Sequence, residues 1–278
     1  MPFARVNDIS MYYEVHGDSG SPLVLIHGFS CSKVDWPVSH VQRLATRHRV
    51  VIFDNRGVGQ TDKPTTPYSM SQFAGDVAGL MDAVGIQAAH IFGVSMGGMI
   101  AQHVALAYPE RVLGLVLGCT APGEPGAGFP VSPSSEVLEV LMKPPSGDRA
   151  QDIRDAWPII YARPYVETNR ALLESGLSEI LAYPEAPPYA LTLQLGAIGG
   201  THDTLHRLGE IRQPTLIQAG LEDVLIPPGN SRILAERIPN ARLIEYPASA
   251  HGYFEEVGFT AVDDILAFLA EADAARAR

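Results

Sequence analysis

Cysteine is scarce in this chain of 278 residues: there are two, Cys31 and Cys119, and neither belongs to a Cys-x-x-Cys spacing. That excludes a disulfide-stapled scaffold and leaves two free thiols, packed as small apolar side chains. Basic residues are outnumbered, 20 Lys and Arg against 31 Asp and Glu, for a net charge of −11. The densest basic cluster is Arg47-His48-Arg49, so a nucleic-acid partner is not expected. No apolar run approaches the roughly 18 residues of a membrane helix, and the first residues lack the apolar centre of a signal peptide. Internal repeats and low-complexity stretches are absent. The expectation is a soluble, cytoplasmic protein with a small-molecule partner and no membrane partner, a monomer or homodimer. Its length suits one large domain with room for an insertion.

What is present is an alternation of strands and helices. Residues 3–8 and 10–16 read as two short strands around the turn pair Asn7-Asp8. Leu23–Ile26, Val50–Phe53, Ile91–Val94 and Val112–Leu117 are continuous apolar runs, as strands buried on both faces should be. Helical spacing falls between them at about 37–46, about 71–84 and from Met96 onward. Ser69 or Ser71 is placed to cap the second of these helices, and Gly85 to stop it. Alternating elements imply right-handed crossovers and a mainly parallel sheet flanked by helices. The pattern lapses over 121–197, which is proline-rich and holds four helical stretches: Glu136–Met142, Ala150–Tyr161, Tyr165–Leu181 and Pro188–Ala197. It resumes with strands at Pro214–Ala219 and Ala241–Tyr246, a helix at Gly229–Ile238 between them, and a closing helix from Val257 to about Glu271. The expected division is a core of 1–120 and 198–278 and a helical cap of 121–197, inserted after the sixth strand. The alanine-rich tail, Ala270 to Arg278, reads as a fraying helix end.

One stretch carries chemistry. In Gly93-Val94-Ser95-Met96-Gly97 a serine flanked by glycines joins a strand to a helix, the G-x-S-x-G pattern. So tight a turn leaves no room for Cβ atoms beside it. It exposes Ser95 Oγ above the sheet edge and aims the free N–H groups and positive end of the following helix at the same point. A serine hydroxyl needs a base, and the base needs an orienting acid. In an open α/β sheet these belong at the carboxyl ends of other strands. Asp223 follows the strand ending at Ala219, and His251 follows the strand ending near Tyr246. His251 would take and return the proton, and Asp223 would fix its tautomer. The N–H groups of Met96 and Phe29 are the candidates to meet the oxyanion.

With His27-Gly28-Phe29, Asp54-Asn55-Arg56-Gly57-x-Gly59, Gly93-Val94-Ser95-Met96-Gly97-Gly98, Gly220-x-x-Asp223 and His251 in view, the chain resembles an α/β-hydrolase-fold serine hydrolase along nearly its full length. It is similar to the branch holding small-molecule carboxylesterases, enol-lactonases, acyl-homoserine lactonases and C–C bond hydrolases. Gln60 departs from the serine that many relatives carry there, and Ser249-Ala250 from a common glycine. The resemblance implies a cofactor-independent carboxylic ester hydrolase, an esterase or lactonase, working through an acyl-enzyme. C–C bond hydrolysis and perhydrolysis are open to the same triad. So is a non-catalytic ligand receptor. A serine nucleophile argues against haloalkane dehalogenase and epoxide hydrolase, whose nucleophile is an aspartate.

The remaining polar residues invite simpler readings. Asp54 ends a strand and is expected to hold its loop with Arg56. His27 is expected to brace the oxyanion loop, and His90 and His103 to be packing or surface residues. Some relatives carry the acid after the sixth strand, but here Gly118-Cys119-Thr120 offers no carboxylate. His202-Asp203-x-x-x-His206 has zinc-ligand spacing on what reads as a helix returning from the cap, yet shows no third ligand, so no metal is expected. The turn at Asp54–Gly59 lacks the G-x-G-x-x-G spacing of a dinucleotide site, so no cofactor is expected. Within the cap, Trp157, Phe129 and Leu141 are candidates to line a largely apolar substrate pocket.

Overall fold

The computed structural model describes residues 2–144 and 146–276. Eight strands form one sheet: β1 (Phe3–Val6), β2 (Ile9–His16), β3 (Pro22–Ile26), β4 (Arg49–Phe53), β5 (Ala89–Val94), β6 (Val112–Gly118), β7 (Thr215–Gly220) and β8 (Ala241–Tyr246). Their order is β1-β2-β4-β3-β5-β6-β7-β8. β2 runs antiparallel to both its neighbours, and every pair from β4 to β8 is parallel. The chain therefore winds outward in one direction from β3 to β4 and in the other from β5 to β8. β3 and β5 flank the point of reversal, where open α/β sheets form a crevice at their carboxyl ends.

The apolar runs sort by strand period. On β3, Leu23 and Leu25 join one core while Val24 and Ile26 join the other, and on β4 Val50 and Ile52 separate from Val51 and Phe53 in the same way. The first core lies under α1 (Val38–Ala45) and α11 (Phe259–Arg276), through Val41, Leu44, Val262, Ile265 and Leu269. The second lies under α2 (Met70–Ala83), α3 (Met96–Ala107) and α9 (Gly229–Arg237), through Phe73, Val77, Met99, Val104 and Leu234. Each fully buried leucine or valine contributes roughly 1.5–3 kcal/mol, so β3 and β4 are held from both sides. Ser69 caps α2 by accepting the Gln72 N–H, and Gly85 ends it with φ 72°.

Between β6 and β7 the described residues form α4 (Ser135–Leu141), α5 (Arg149–Ile160), α6 (Arg163–Thr168), α7 (Arg170–Ala182) and α8 (Pro188–Thr201), and no strand. The helix expected over Tyr165–Leu181 is two, parted at Asn169, whose backbone belongs to neither. The closing helix, expected from Val257, begins two residues later at Phe259 and is preceded by a separate short turn of helix. α10 (Tyr253–Glu256) and α11 are separated by Gly258 at φ 57°, a left-handed residue that no helix carries through. α11 runs to Arg276; the last two residues of the alanine-rich tail lie outside the described residues. The segment at His202–His206, expected to be helical, is irregular and turn-like instead, because α8 ends at Thr201.

Candidate active site

Ser95 stands between β5 and α3 with φ 56° and ψ −125°, a conformation that costs a non-glycine residue about 1–3 kcal/mol. Its neighbours hold it there. Ser95 N–H donates to Gly118 O at 2.9 Å, and Ser95 O accepts from Thr120 Oγ1 at 2.7 Å and from Gly98 N at 2.9 Å. The flanking glycines are required by close approach. A Cβ on Gly93 would sit 2.1 Å from Gly97 O, and one on Gly97 would sit 2.0 Å from Ile26 O. Thr120 escaped sequence reading because its only signal is a hydroxyl two residues past the end of β6.

The loop after β3 closes one side. A Cβ on Gly28 would lie 3.0 Å from Ser95 Cβ and 3.4 Å from Ser95 Oγ, so the backbone leading to Phe29 passes directly over the serine. Among the described residues neither Phe29 N nor Met96 N donates to a protein acceptor. Three contacts fix this loop. Asn55 Nδ2 donates to His27 O at 3.1 Å, Gln194 Oε1 on α8 accepts from Ser30 N at 3.0 Å, and the His27 ring packs on Trp36 with centroids 4.4 Å apart. Burial lowers the His27 pKa, which favours the neutral ring. Asn55 lies within the Asp54–Gly59 motif but its contact with the oxyanion loop is not announced by it, and Gln194 carries no motif; each acts through a partner distant in sequence.

On the other side, Asp223 is 3% exposed after β7. Its Oδ1 accepts from Leu225 N at 2.9 Å and Ile226 N at 2.8 Å, and its Oδ2 lies 2.8 Å from His251 Nδ1. Glu222 is exposed, and its backbone N–H donates to Ser249 O. With Nδ1 engaged by the carboxylate, Nε2 is the ring nitrogen left to exchange a proton with a substrate-side group. Such an arrangement can deprotonate a hydroxyl and stabilise the imidazolium that results.

The loop bearing His251 is tied to the helices between β6 and β7. Glu256 Oε1 accepts from Ala250 N at 2.9 Å and Glu256 Oε2 from Ala162 N at 3.1 Å, while Gly252 N donates to Ile160 O at 2.6 Å. Tyr161 O–H donates to Glu255 Oε2 at 3.0 Å. The Glu255 carboxyl is raised to about 7, first by burial, with Asp35 and Glu256 adding to the rise and the Tyr161 hydroxyl opposing it. A folded-state pKa above the unfolded one means that the folded state holds the proton more tightly. That contribution to stability is complete below about 4.5 and is lost as pH rises through about 7. Differential scanning fluorimetry of wild type against Glu255→Gln is expected to show it. The wild-type melting temperature should drop by about 2–5 °C relative to the variant across that window; a constant difference would contradict the assignment.

Two expectations need correction. Asp54 does hold its loop, but not with Arg56. Its carboxylate accepts from Lys33 N at 2.7 Å, Gln60 N at 2.7 Å and Tyr183 O–H at 2.8 Å. Arg56 is fully buried and forks onto Asp76 at 2.8 and 2.9 Å and onto Asp8 at 2.7 and 3.2 Å. A guanidinium out of water needs paired carboxylates in fork geometry, which Asp76 and Asp8 supply, while the Asp54 oxygens are engaged by Lys33, Gln60 and Tyr183. The second concerns His202 and His206, which share no helix face. His202 Nδ1 lies 3.1 Å from His103 Nε2 and its Nε2 3.0 Å from Ala121 O, whereas exposed His206 approaches Glu124 at 3.7 Å. Burial takes the His103 and His202 pKa values down to about 4. His90 packs as expected, fully buried and bonded to Asp273 at 2.9 Å.

Of the candidate pocket residues, Trp157 packs with Leu173 and Leu177 of α7 under the Arg170 guanidinium. Phe129 rests against the core beneath α2 and α3, and Leu141 is half-buried at the end of α4.

A family model described as alpha/beta hydrolase fold matches residues 21–157. Among curated relatives, the protein named "Putative carbamate hydrolase RutD" of Azorhizobium caulinodans is 32% identical over 98% of this chain and 100% of its own length. Rhodomycin D methylesterase DauP of a Streptomyces species is 30% identical, over 88% of this chain and 90% of its own. Among solved structures, the enol-lactonase from Burkholderia xenovorans LB400 matches with a TM-score of 0.81 and 25% identity, covering 97% of this chain and 100% of that one.

Proposed function

Since the chain belongs to the α/β-hydrolase family, we propose that it is a serine hydrolase cleaving carboxylic esters or lactones of small, largely apolar substrates. The observation that carries this reading is the Asp223–His251 hydrogen bond of 2.8 Å at the strand ends that also bear Ser95. Ser95 Oγ attacks the carbonyl carbon while His251 Nε2 takes its proton. The oxyanion that forms is met by the N–H groups of Phe29 and Met96, an arrangement worth roughly 10²–10³ in rate per donor. His251 returns the proton to the leaving oxygen. A water then repeats the sequence on the acyl-enzyme and releases the acid. No step in this scheme calls on a metal or cofactor.

The helices over 121–197 act, in this reading, as a cap that bounds the substrate above Ser95. Methyl esters, enol-lactones and carbamates, named for the three relatives, all present a carbonyl with a heteroatom leaving group. That shared chemistry is what Ser95 and its partners suit. The test combines a fluorophosphonate probe with a panel of esters, lactones, carbamates and vinylogous diketones. Labelling at Ser95 with turnover of an ester or lactone is expected. Labelling with turnover of diketones alone would point to C–C hydrolysis, and labelling without any turnover to a ligand receptor. Failure to label Ser95 would sink the proposal.

A further inference from the structure

Cys119 has no task in the hydrolytic scheme, yet the fold spends strain on it. It follows β6 with φ 40°, in backbone that non-glycine residues avoid, and is 2% exposed. Gly220 N–H donates to its Sγ at 3.5 Å, and Ala250 O lies 3.8 Å away. Its Sγ, a carboxylate oxygen of Asp223 and a ring nitrogen of His251 all lie within 4.8 Å of one another. We propose that Cys119, Asp223 and His251 form a binding site for a thiophilic divalent cation of the Zn²⁺ and Cd²⁺ class, and that occupancy shuts the enzyme down.

Thiolate, imidazole and carboxylate are the ligand types that such ions select, with bonds of about 2.0–2.3 Å and tetrahedral geometry. Tetrahedral ligand atoms at those bond lengths stand roughly 3–4 Å apart. Asp223 and His251 are already at 2.8 Å, so the sulfur needs to shift by about an ångström or less. Three protein ligands leave the fourth position to water. Charge also balances. A dication between one carboxylate and one thiolate leaves the buried site neutral, which avoids the cost of a lone buried charge. Burial and the neighbouring Asp223 push the Cys119 thiol well up, so the free protein carries S–H, and the cation displaces that proton to solvent.

Inhibition follows from the imidazole, and this part rests on the hydrolytic reading above. Neutral His251 carries its proton on Nδ1, facing Asp223. A cation on Nδ1 moves that proton to Nε2. One proton, from the thiol, leaves overall. The Nε2 lone pair is then occupied and cannot accept the Ser95 proton.

The experiment is a Cd²⁺ titration of the full chain in chelator-free buffer. It follows thiolate-to-cadmium charge-transfer absorbance and, in parallel, hydrolysis of a p-nitrophenyl ester. Wild type, Cys119→Ala, Cys119→Ser and Cys31→Ala are compared. Wild type and Cys31→Ala are expected to bind one Cd²⁺ with loss of activity that EDTA reverses. Both Cys119 variants should lose the absorbance and need at least about 100-fold more Cd²⁺ for the same inhibition. Unchanged binding in the folded Cys119 variants, or its loss in Cys31→Ala, would overturn the site. Stoichiometric binding through Cys119 with undiminished hydrolysis would uphold the site and count instead against His251 as the base.

Discussion

Ser95→Ala is expected to lower kcat/KM for the best ester or lactone substrate by about 10⁵–10⁶-fold while the protein stays folded. The size of the effect follows from chemistry. In the proposed mechanism no acyl-enzyme forms without Oγ, and neither His251 nor the proposed oxyanion donors can supply a nucleophile. What survives is binding and carbonyl polarisation, which act on bulk water and leave only a small residue of rate. The fold should hardly notice. Alanine meets the same penalty as serine at φ 56°, and the contacts that pin the turn use backbone atoms of residue 95 with Gly118, Thr120 and Gly98. Thermal unfolding should move by no more than about 1 kcal/mol. Steady-state kinetics beside a melting curve make the check, and residual activity within a hundredfold of wild type would remove Ser95 as nucleophile.

Asp223→Asn should cost about 10⁴-fold in kcat with little change in stability. The structure explains why so mild an exchange is so damaging. Asp223 Oδ1 accepts two backbone N–H groups, from Leu225 and Ile226. The amide oxygen of asparagine must take that place, since an NH₂ there would face two donors. Its Nδ2 then points at His251 Nδ1, 2.8 Å away in the native pair. An N–H facing Nδ1 forces the imidazole proton onto Nε2, the tautomer that cannot accept from serine. Asp223→Ala, in contrast, strands two N–H groups and should also lower stability, by about 1–3 kcal/mol for each donor left buried and unpaired. A kcat of Asp223→Asn within tenfold of wild type would contradict this assignment of roles.

How much of this was legible beforehand depended on range. The strands showed themselves because burial on both faces demands unbroken apolar runs such as Leu23–Ile26 and Val112–Leu117. Ser95 could be placed because it follows such a run, and Asp223 and His251 because each comes shortly after a segment that reads as a strand, although Gln218, Arg242 and Glu245 interrupt those two. The break at Asn169 and the delayed start of the closing helix after Gly258 are not legible, since helical spacing continues across both positions and only backbone geometry shows the interruption. The contacts of Arg56 were misread for a related reason: Asp54 is near in sequence, but Asp8 and Asp76 are near in space. Glu256, Gln194 and Thr120 were invisible. Each works by a hydrogen bond to a backbone atom, and any residue supplies a backbone atom, so no pattern in the sequence announces the partner.

The Glu256 carboxylate has a mechanical meaning beyond its two hydrogen bonds. Its oxygens grip Ala250, one residue before His251, and Ala162, at the corner between α5 and α6. Gly252 N, one residue after His251, grips Ile160 in the same corner. His251, the proposed base, is thus slung between two straps anchored at the corner between α5 and α6. Lifting that corner by more than a hydrogen bond's tolerance must either snap a strap or drag the imidazole along. Under the proposed hydrolytic reading, a guest bulky enough to prop the corner open would therefore meet a His251 already pulled out of true. In the proposed hydrolase, size selection would then be exerted on the turnover of oversized guests as well as on their admission.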